Sequence, residues 1–526
     1  MNELITSSLI WRSFVLLAAW LGRSWAGRLV AAFGRALRGS AAYRILARIF
    51  CAPDPAEGSL LRNTCNRLNL WLHEKGGGLR RLIEESGAYR LHRWIFTRFG
   101  SSRLSGRVLR GGVTGVLLFA IAAFAIIDFL LRDVLGIAFL ASVWDELLII
   151  ASVCWLCLRT VAAKNPVKSR AGTMDVWLAF YMLAGLLLLW QTLTLVGINI
   201  TGYRASMQYI LLFFVVLRLL RGEEDLFFMY RVMVLIAFAI ALHGIWQFVV
   251  GVEIPREWTD RAEAAVRTRV FSIFSNPNIM AAYMILFAPM AIGMAYTEKQ
   301  PAMKVFYWFC GICMCLGCLF TMTRAAWMAL AVAAVIFSLI VDRKLFALML
   351  AAMVAACFLP FVRSRIGYLF TPEFAESNAR AGRGKRWETG MGYLDEYHKW
   401  TFGLGYGIYG GAVAAQNPVN PNFDYMYVDN YYVKILVENG IVGLSVFLSS
   451  IGALLYNGVR SCAKSPYKPL CAGMLSGLAG ILIHSYFESL WEEPYMMALF
   501  FAVAAMMIFA GFFLPQKAQG ERSGDL

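Results

Sequence analysis

The sequence predicts an all-α membrane protein that crosses the bilayer about twelve times. Of its 526 residues, 59% are hydrophobic, and the mean hydropathy is +0.60. Long runs such as GVLLFAIAAFAIIDFLL and MALAVAAVIFSLIV are nearly free of charge. Segments of about 20 apolar residues span a bilayer as helices, because a helix satisfies its own backbone polar groups. The composition therefore predicts a polytopic helical protein and argues against a soluble one.

The first 110 residues form a basic region that precedes the predicted spans. They carry 18 Lys and Arg against 6 Asp and Glu, in a chain whose net charge is +16. The stretch LIWRSFVLLAAWLGRSWAGRLVAAFGRALRG places arginines at helical intervals among apolar side chains, which predicts an interfacial helix on anionic cytoplasmic lipid. An ordinary cytoplasmic helical domain is the alternative. Membrane lipids, and not nucleic acid, are thus the expected partners of this charge.

Twelve spans follow from hydropathy. Their approximate positions are 112–131, 136–160, 174–196, 205–220, 226–250, 277–296, 303–321, 323–341, 344–361, 432–456, 468–487 and 495–514. The predicted domains are the basic cytoplasmic or interfacial region 1–110, the transmembrane domain 111–514 with one large outer loop at 363–430, and a short cytoplasmic tail at 515–526.

Basic loops predict the orientation of these spans. With the N-terminus inside, the short inner loops are rich in Lys and Arg, as the positive-inside rule requires. The segment EIPREWTDRAEAAVRTRVFSIFSN, the loop 363–430 and the turn FTMTRAAW then fall outside. Arginines in these outer segments are contrary to the positive-inside rule, which places basic residues in cytoplasmic loops. We therefore expect them to have a role other than setting the topology.

Five arginines from these outer segments are candidates for an anion site. They are Arg267, Arg269, Arg324, Arg383 and Arg386. The planar guanidinium presents paired donors that match phosphate oxygens. We therefore expect helices of the bundle to gather these side chains at one mouth. The alternative is that each pairs separately with an acidic side chain or a lipid head group.

The turn FSNPN predicts the start of a helix. Asn276 is a favourable N-cap, and Pro277 suits the first helical turn. The free N–H groups of a helix N-terminus favour an anion, so Asn276 and Asn278 mark a candidate anion site beside Arg269. A plain helix cap is the simpler reading of the same residues.

Four motifs resemble those of the O-antigen ligase and O-antigen polymerase superfamily. RVFSIFSNPNIMAAY resembles the signature R-x-x-G-x-F-x-N-P-N, and TMTRAAWMAL is similar to the helix start T-x-S-R. GRGKRWETGMGYLDEYHKWTFGLGYGIYG resembles the G-R-x-x-x-W segment of the large loop. VDNYYVKILVENGIVGLSVFL resembles the H-N motif with its following E-x-G. The motifs occur in the order of that superfamily and extend from Arg267 to Leu448.

The resemblance implies a membrane glycosyltransferase of the C-like class, with the transmembrane domain as the catalytic domain. Its members transfer a glycan from a polyprenyl-diphosphate donor to a hydroxyl of a glycan, lipid or wall acceptor. They act on the outer face of the bacterial cytoplasmic membrane, and no metal or other cofactor is implied. The rival interpretation is a transporter or flippase of lipid-linked sugars, which needs ionisable residues along a path through both leaflets.

The resemblance also assigns roles to individual arginines. By position, Arg269, Arg324 and Arg383 bind the diphosphate. A leaving diphosphate gains negative charge in the transition state, which preorganised cations stabilise. Arg386 is a helical neighbour of Arg383 and either shares this role or faces water.

The catalytic base is where the sequence departs from the ligase pattern. The ligases have His before the Asn of the H-N motif, whereas this chain has Asp429 followed by Asn430. A carboxylate can accept a hydroxyl proton, so Asp429 is the first candidate base or a ligand of sugar hydroxyls. His484 is the second candidate, unless a neighbouring helix satisfies it. Asn430 and Glu438 are expected to contact the acceptor or to orient other groups, and Glu438 alternatively caps a helix. The departure fits a polymerase or a related transferase at least as well as a lipid A-core ligase.

Overall fold

The computed structural model describes residues 60–76, 85, 108, 111–163, 168–190, 195–253, 268–372, 375–376, 382–419 and 427–514. Every regular element within these ranges is helical, and no strand occurs in them. The predicted all-α class is thereby confirmed. Most of the basic region 1–110, the tail 515–526 and Arg267 lie outside the described residues.

The described helices are numbered in chain order. They are α1 (Leu60–Lys75), α2 (Gly112–Ala122), α3 (Phe124–Phe129), α4 (Ala138–Ala162), α5 (Thr173–Leu188), α6 (Val196–Met207), α7 (Leu211–Leu219), α8 (Glu223–Val250), α9 (Pro277–Thr297), α10 (Pro301–Phe320), α11 (Arg324–Ile340), α12 (Arg343–Cys357), α13 (Pro360–Tyr368), α14 (Arg383–Glu396), α15 (Ala412–Gln416), α16 (Tyr431–Lys464), α17 (Lys468–His484) and α18 (Pro494–Ile508).

Several of these helices have the length and composition of membrane spans. Among the described residues, seven helical runs qualify: α4, α6 with α7, α8, α9, α10, α16, and α18 with its π-helical extension. Two bent pairs, α2 with α3 and α12 with α13, raise the number to nine if each is one span. Shorter apolar helices, α5, α11 and α17, lie where the sequence predicts further spans. The structure thus confirms a multi-span helical protein, while the count of twelve stays a prediction.

The chain divides into two compact units. The described part of the first unit comprises residues from Ala237–Lys385 and Gly458–Phe487. The described part of the second unit comprises residues from Pro53–Ile236, Arg386–Asn457 and Glu488–Leu526. The predicted outer loop 363–430 contributes to both, and it contains the helices α14 and α15.

The first unit is built around α9, whose side chains are almost all buried. Helices α10 and α17 pack against it, and α17 also packs against α11. Gly477 of α17 permits this close approach, because a Cβ atom there would lie 2.3 Å from the Leu286 carbonyl oxygen. Small residues at such crossings let two helix backbones meet, which supplies the packing that holds membrane helices together.

The second unit has α18 as its most buried helix, and α7 packs along it. Its membrane-length helices also contain buried acidic side chains. Asp145 of α4 accepts hydrogen bonds from the Tyr209 hydroxyl at 2.5 Å and from Gln208 Nε2 at 2.9 Å. These donors offset the cost of burying a carboxylate within a membrane helix.

We expect Gly477→Ala to destabilise the protein, because the added methyl group cannot fit against the α9 backbone. Overpacking of this kind costs about 1–3 kcal/mol. Gly452→Ala is the matched control, since no neighbouring atom lies within 4 Å of its Cβ position. Thermal unfolding of the purified variants in detergent measures the difference. Equal melting temperatures would contradict the proposed packing of α17 on α9.

Candidate functional site

The Asn-Pro-Asn turn begins α9 in the way the sequence predicts. Pro277 occupies the first helical turn, and the side-chain oxygen of Asn276 accepts a hydrogen bond from the Asn278 backbone N–H at 2.8 Å. Asn276 itself has an extended backbone, which is the usual conformation of an N-cap. The predicted cap is therefore confirmed, and it fixes the end of the most buried helix of the first unit.

Arg269 connects this helix start to a second turn. Its Nη2 donates to Asn278 Oδ1 at 3.2 Å and to Thr323 Oγ1 at 3.3 Å, while its Nε donates to the Thr321 carbonyl oxygen at 3.1 Å. The Thr323 hydroxyl in turn donates to Asn278 Oδ1 at 3.0 Å. The guanidinium, the start of α9 and the turn between α10 and α11 therefore form one hydrogen-bonded cluster.

Arg324 begins α11, directly after Thr323. Its Nη1 donates to the Arg365 carbonyl oxygen at 3.2 Å, and its guanidinium lies over the Tyr368 ring at 5.8 Å from the centroid. Arg365 is buried, and its guanidinium donates to the Met322 carbonyl oxygen at 2.8 Å and 3.2 Å. Sequence reasoning missed Arg365, which secures the α10–α11 turn from α13.

His484, at the end of α17, joins the same cluster. It is 1% exposed, and its Nε2 lies 3.3 Å from the Asn278 carbonyl oxygen. A carbonyl only accepts, so the imidazole donates through Nε2. The other ring nitrogen, Nδ1, is buried and has no hydrogen-bond partner among the described residues.

Three residues predicted for the anion site, Arg269, Asn276 and Asn278, thus lie together in the first unit, beside the candidate base His484. All four are joined at the start of α9, and Arg383 begins α14 within the same unit. Arg324 follows the threonine that contacts Arg269 and Asn278.

Asp429 lies in the second unit, immediately before α16. It has a φ of +49°, which is an uncommon conformation outside glycine. Its Oδ2 pairs with Arg386 Nη1 at 3.0 Å, and the same nitrogen donates to the Tyr427 carbonyl oxygen at 2.5 Å. Arg386 therefore contacts the candidate base in this structure, a partnership that the sequence did not predict.

Asn430 has a structural role that the local geometry defines. Its Oδ1 accepts from the backbone N–H groups of Tyr432 and Val433, at 3.0 Å and 3.1 Å, and it is fully buried. These contacts are typical of an N-cap. Asn430 therefore fixes the start of α16 and, with it, the position of Asp429.

Lys434, one turn further along α16, is a buried cation that sequence reasoning missed. Its Nζ lies 2.6 Å from Glu438 Oε1 and 3.4 Å from Glu492 Oε1, and it donates to the Tyr409 carbonyl oxygen at 3.1 Å. Burial raises the pKa of Glu492, although the Lys434 ammonium opposes this effect. One ammonium group thus lies between two carboxylates, which we name the Lys434 triad.

The glycine-rich segment 403–411 packs against this triad. Glu438 accepts from the Tyr409 backbone N–H at 3.4 Å, and Gly403, with φ +78°, lies so near the Glu438 backbone that a Cβ would be 2.4 Å from it. Residues 403–411 are all buried. Glu438 therefore holds this segment against α16.

Apolar helices of membrane length, with arginines, amides and threonines gathered at helix ends, define a polytopic membrane protein with a candidate anion-binding site. A family model described as O-antigen ligase matches residues 309–448. This match confirms that the chain resembles the O-antigen ligase and O-antigen polymerase superfamily, as its motifs predict. The comparison with individual curated proteins gave no match.

The matched segment contains Arg324, Arg383 and Asp429 but ends before His484 and begins after Arg269. Its presence indicates a glycosyltransferase-like enzyme of surface polysaccharide assembly.

We expect Lys434→Met to destabilise the second unit, because it leaves two buried carboxylates without their cation. Removing one partner of a buried ion pair costs about 3–5 kcal/mol. Lys399→Met is the control, since Lys399 is exposed. Thermal unfolding in detergent measures the loss, and the double variant Lys434→Met/Glu438→Gln should recover part of it. A melting temperature for Lys434→Met equal to that of the control would show that the triad contributes no stability.

Proposed function

We propose that this protein transfers an oligosaccharide or polysaccharide from a polyprenyl-diphosphate carrier to an acceptor hydroxyl. The reaction takes place on the outer face of the bacterial cytoplasmic membrane and serves surface polysaccharide assembly. The observation that carries the proposal is the cluster around Arg269, where a guanidinium meets the N-terminus of α9. Both features favour a phosphate. The O-antigen ligase domain supports the class of reaction.

Arg269, Arg324 and Arg383 bind the diphosphate of the donor in this proposal. The diphosphate gains negative charge as its bond to the sugar breaks, and fixed cations stabilise that charge more in the transition state than in the ground state. The arginines thereby supply the positive charge for a reaction without a metal ion. Arg386, which pairs with Asp429, has a different role and holds that carboxylate in place.

The transfer is an in-line displacement with inversion. The acceptor oxygen attacks the anomeric carbon, the bond from that carbon to the phosphate oxygen breaks, and its electron pair leaves with the diphosphate. The Asp429 carboxylate takes the proton of the acceptor hydroxyl. Asn430 fixes the start of α16 directly after Asp429, and Glu438 orients the segment 403–411. His484 is the alternative proton acceptor.

Asp429 also bears on the kind of acceptor. The lipid A-core ligases have a histidine at the matching position, so a carboxylate there favours a polymerase or a related transferase at least as much as a strict ligase. Another repeat unit, a lipid or a wall component would then supply the acceptor hydroxyl.

A strain that lacks this gene tests the proposed function directly. We expect loss of surface glycan and accumulation of its lipid-linked precursor: single repeat units if the protein is a polymerase, or long chains still on the carrier if it is a ligase. Complementation with Arg269→Ala or Arg324→Ala should fail, because loss of one preorganised donor lowers the rate about 100- to 1,000-fold.

Arg363→Ala is the matched control, since Arg363 lies on α13 near Arg365 but is exposed. All variants are compared at equal membrane abundance and equal melting temperature. An unchanged glycan profile in the deletion strain would contradict the proposed function. Full activity of either site variant would remove that arginine from the mechanism.

Asp429→Asn tests the base separately. The amide cannot take the hydroxyl proton, so we expect the transfer rate to fall about 100-fold or more while the donor still binds. The measurement is initial transfer rate at saturating donor in reconstituted membranes. A near-normal rate would reject Asp429 as the base, and His484→Gln would then be the variant that loses activity.

A further inference from the structure

Gln247 of α8 makes an unusual pair of contacts inside the first unit. Its side chain is almost fully buried, and its Oε1 accepts hydrogen bonds from two successive backbone N–H groups, those of Phe271 at 3.1 Å and Ser272 at 2.8 Å. A side-chain oxygen from a membrane-length helix therefore holds a segment 24 and 25 residues further along the chain.

The segment held in this way is strained. Ser272 has a φ of +52° and Ser275 a φ of +54°, a left-handed conformation that side chains other than glycine seldom adopt. Such residues keep this conformation only where surrounding contacts impose it. The two hydrogen bonds that Gln247 accepts come from Ser272, the first of these strained positions, and from Phe271 directly before it.

A second contact from the same helix face holds Ser272. His243 Nδ1 lies 2.9 Å from Ser272 Oγ, and that hydroxyl donates to the Ile240 carbonyl oxygen at 3.2 Å. Because the hydroxyl proton is used on Ile240, the imidazole donates through Nδ1. Residues 240, 243 and 247 follow helical spacing and form one stripe along α8. We name this stripe the α8 clamp.

The turn at Ser272, which the α8 clamp holds, separates the two parts of the proposed anion site. Arg269 lies three residues before Ser272, and the cap residue Asn276 lies four residues after it. A change in the backbone at Ser272 would redirect Arg269 relative to the start of α9. Neither Gln247 nor His243 is among the residues proposed to contact substrate.

We infer that Gln247 is a positioning residue, which fixes the turn at Ser272 so that Arg269 and the N-terminus of α9 address one diphosphate. This inference rests on the proposed function and deepens it. Gln247 acts through the backbone of the turn, and His243 supports it through the Ser272 hydroxyl. The site then recognises diphosphate by the fixed spacing of two anion-binding groups.

Equilibrium binding of farnesyl diphosphate to the full chain in detergent tests the inference. Gln247→Leu removes the acceptor and should raise the Kd about tenfold, with an unchanged number of sites per folded molecule. Farnesyl monophosphate carries a single phosphate and depends less on the fixed spacing. The same substitution should therefore lower its affinity less. Gln247→Glu keeps an acceptor oxygen at the same place and should retain affinity within about threefold of wild type.

Two further variants make the outcome interpretable. His243→Phe replaces a side chain that is exposed and should therefore fold even if Gln247→Leu does not, and we expect it to raise the Kd about threefold. Gln208→Leu is the matched control, because it also removes a glutamine hydrogen bond within a membrane-length helical run but contacts Asp145 and not the turn. It should leave the Kd unchanged.

A purely structural role would lower the number of binding-competent molecules and leave the Kd of the remainder at its wild-type value; that result would overturn the inference. So would wild-type affinity in both Gln247→Leu and His243→Phe while Arg269→Ala binds weakly, a result that leaves the proposed function intact. Wild-type affinity in Arg269→Ala would instead refute the diphosphate site itself, and the positioning role with it.

Discussion

The hydrogen bonds of the Arg269 guanidinium to Asn278 and Thr323 are the interaction on which the polar site of the first unit depends. They join Arg269 and Asn278, which are nine residues apart, to Thr323, which is 54 residues from Arg269. They also place a positive charge at the start of a helix whose body is buried. A helix that packs on several neighbours along its length is a fixed support. The charge at its end therefore needs little reorganisation when an anion arrives.

In the second unit, the Lys434 triad compensates the charge of buried carboxylates. Two carboxylates are buried near one ammonium, and these groups tie the glycine-rich segment 403–411 to α16. The same helix begins at the Asn430 cap, directly after Asp429. Ion pairing inside the unit thus contributes to the position of the candidate base, and Arg386 contributes from α14.

Features that depend on local sequence could be predicted, and features that depend on distant contacts could not. Apolar runs fix the helices near their predicted positions, and the Asn276 cap needs only its two following residues. The partnership of Arg386 with Asp429 and the contacts of Lys434 depend on how distant helices pack. In the sequence, Gln247 is an ordinary polar residue in an apolar helix. The residues around it give no sign of the turn, 25 residues later, that it holds.

The most direct measurement is an experimental structure of the protein with a bound polyprenyl diphosphate in a lipid nanodisc. We predict that both phosphates lie within hydrogen-bonding distance of Arg269 and the first turn of α9, and that Asn278 is released from one of its present contacts. Phosphate density on another face of the first unit, with the bonds among Arg269, Thr323 and Asn278 unchanged, would contradict it.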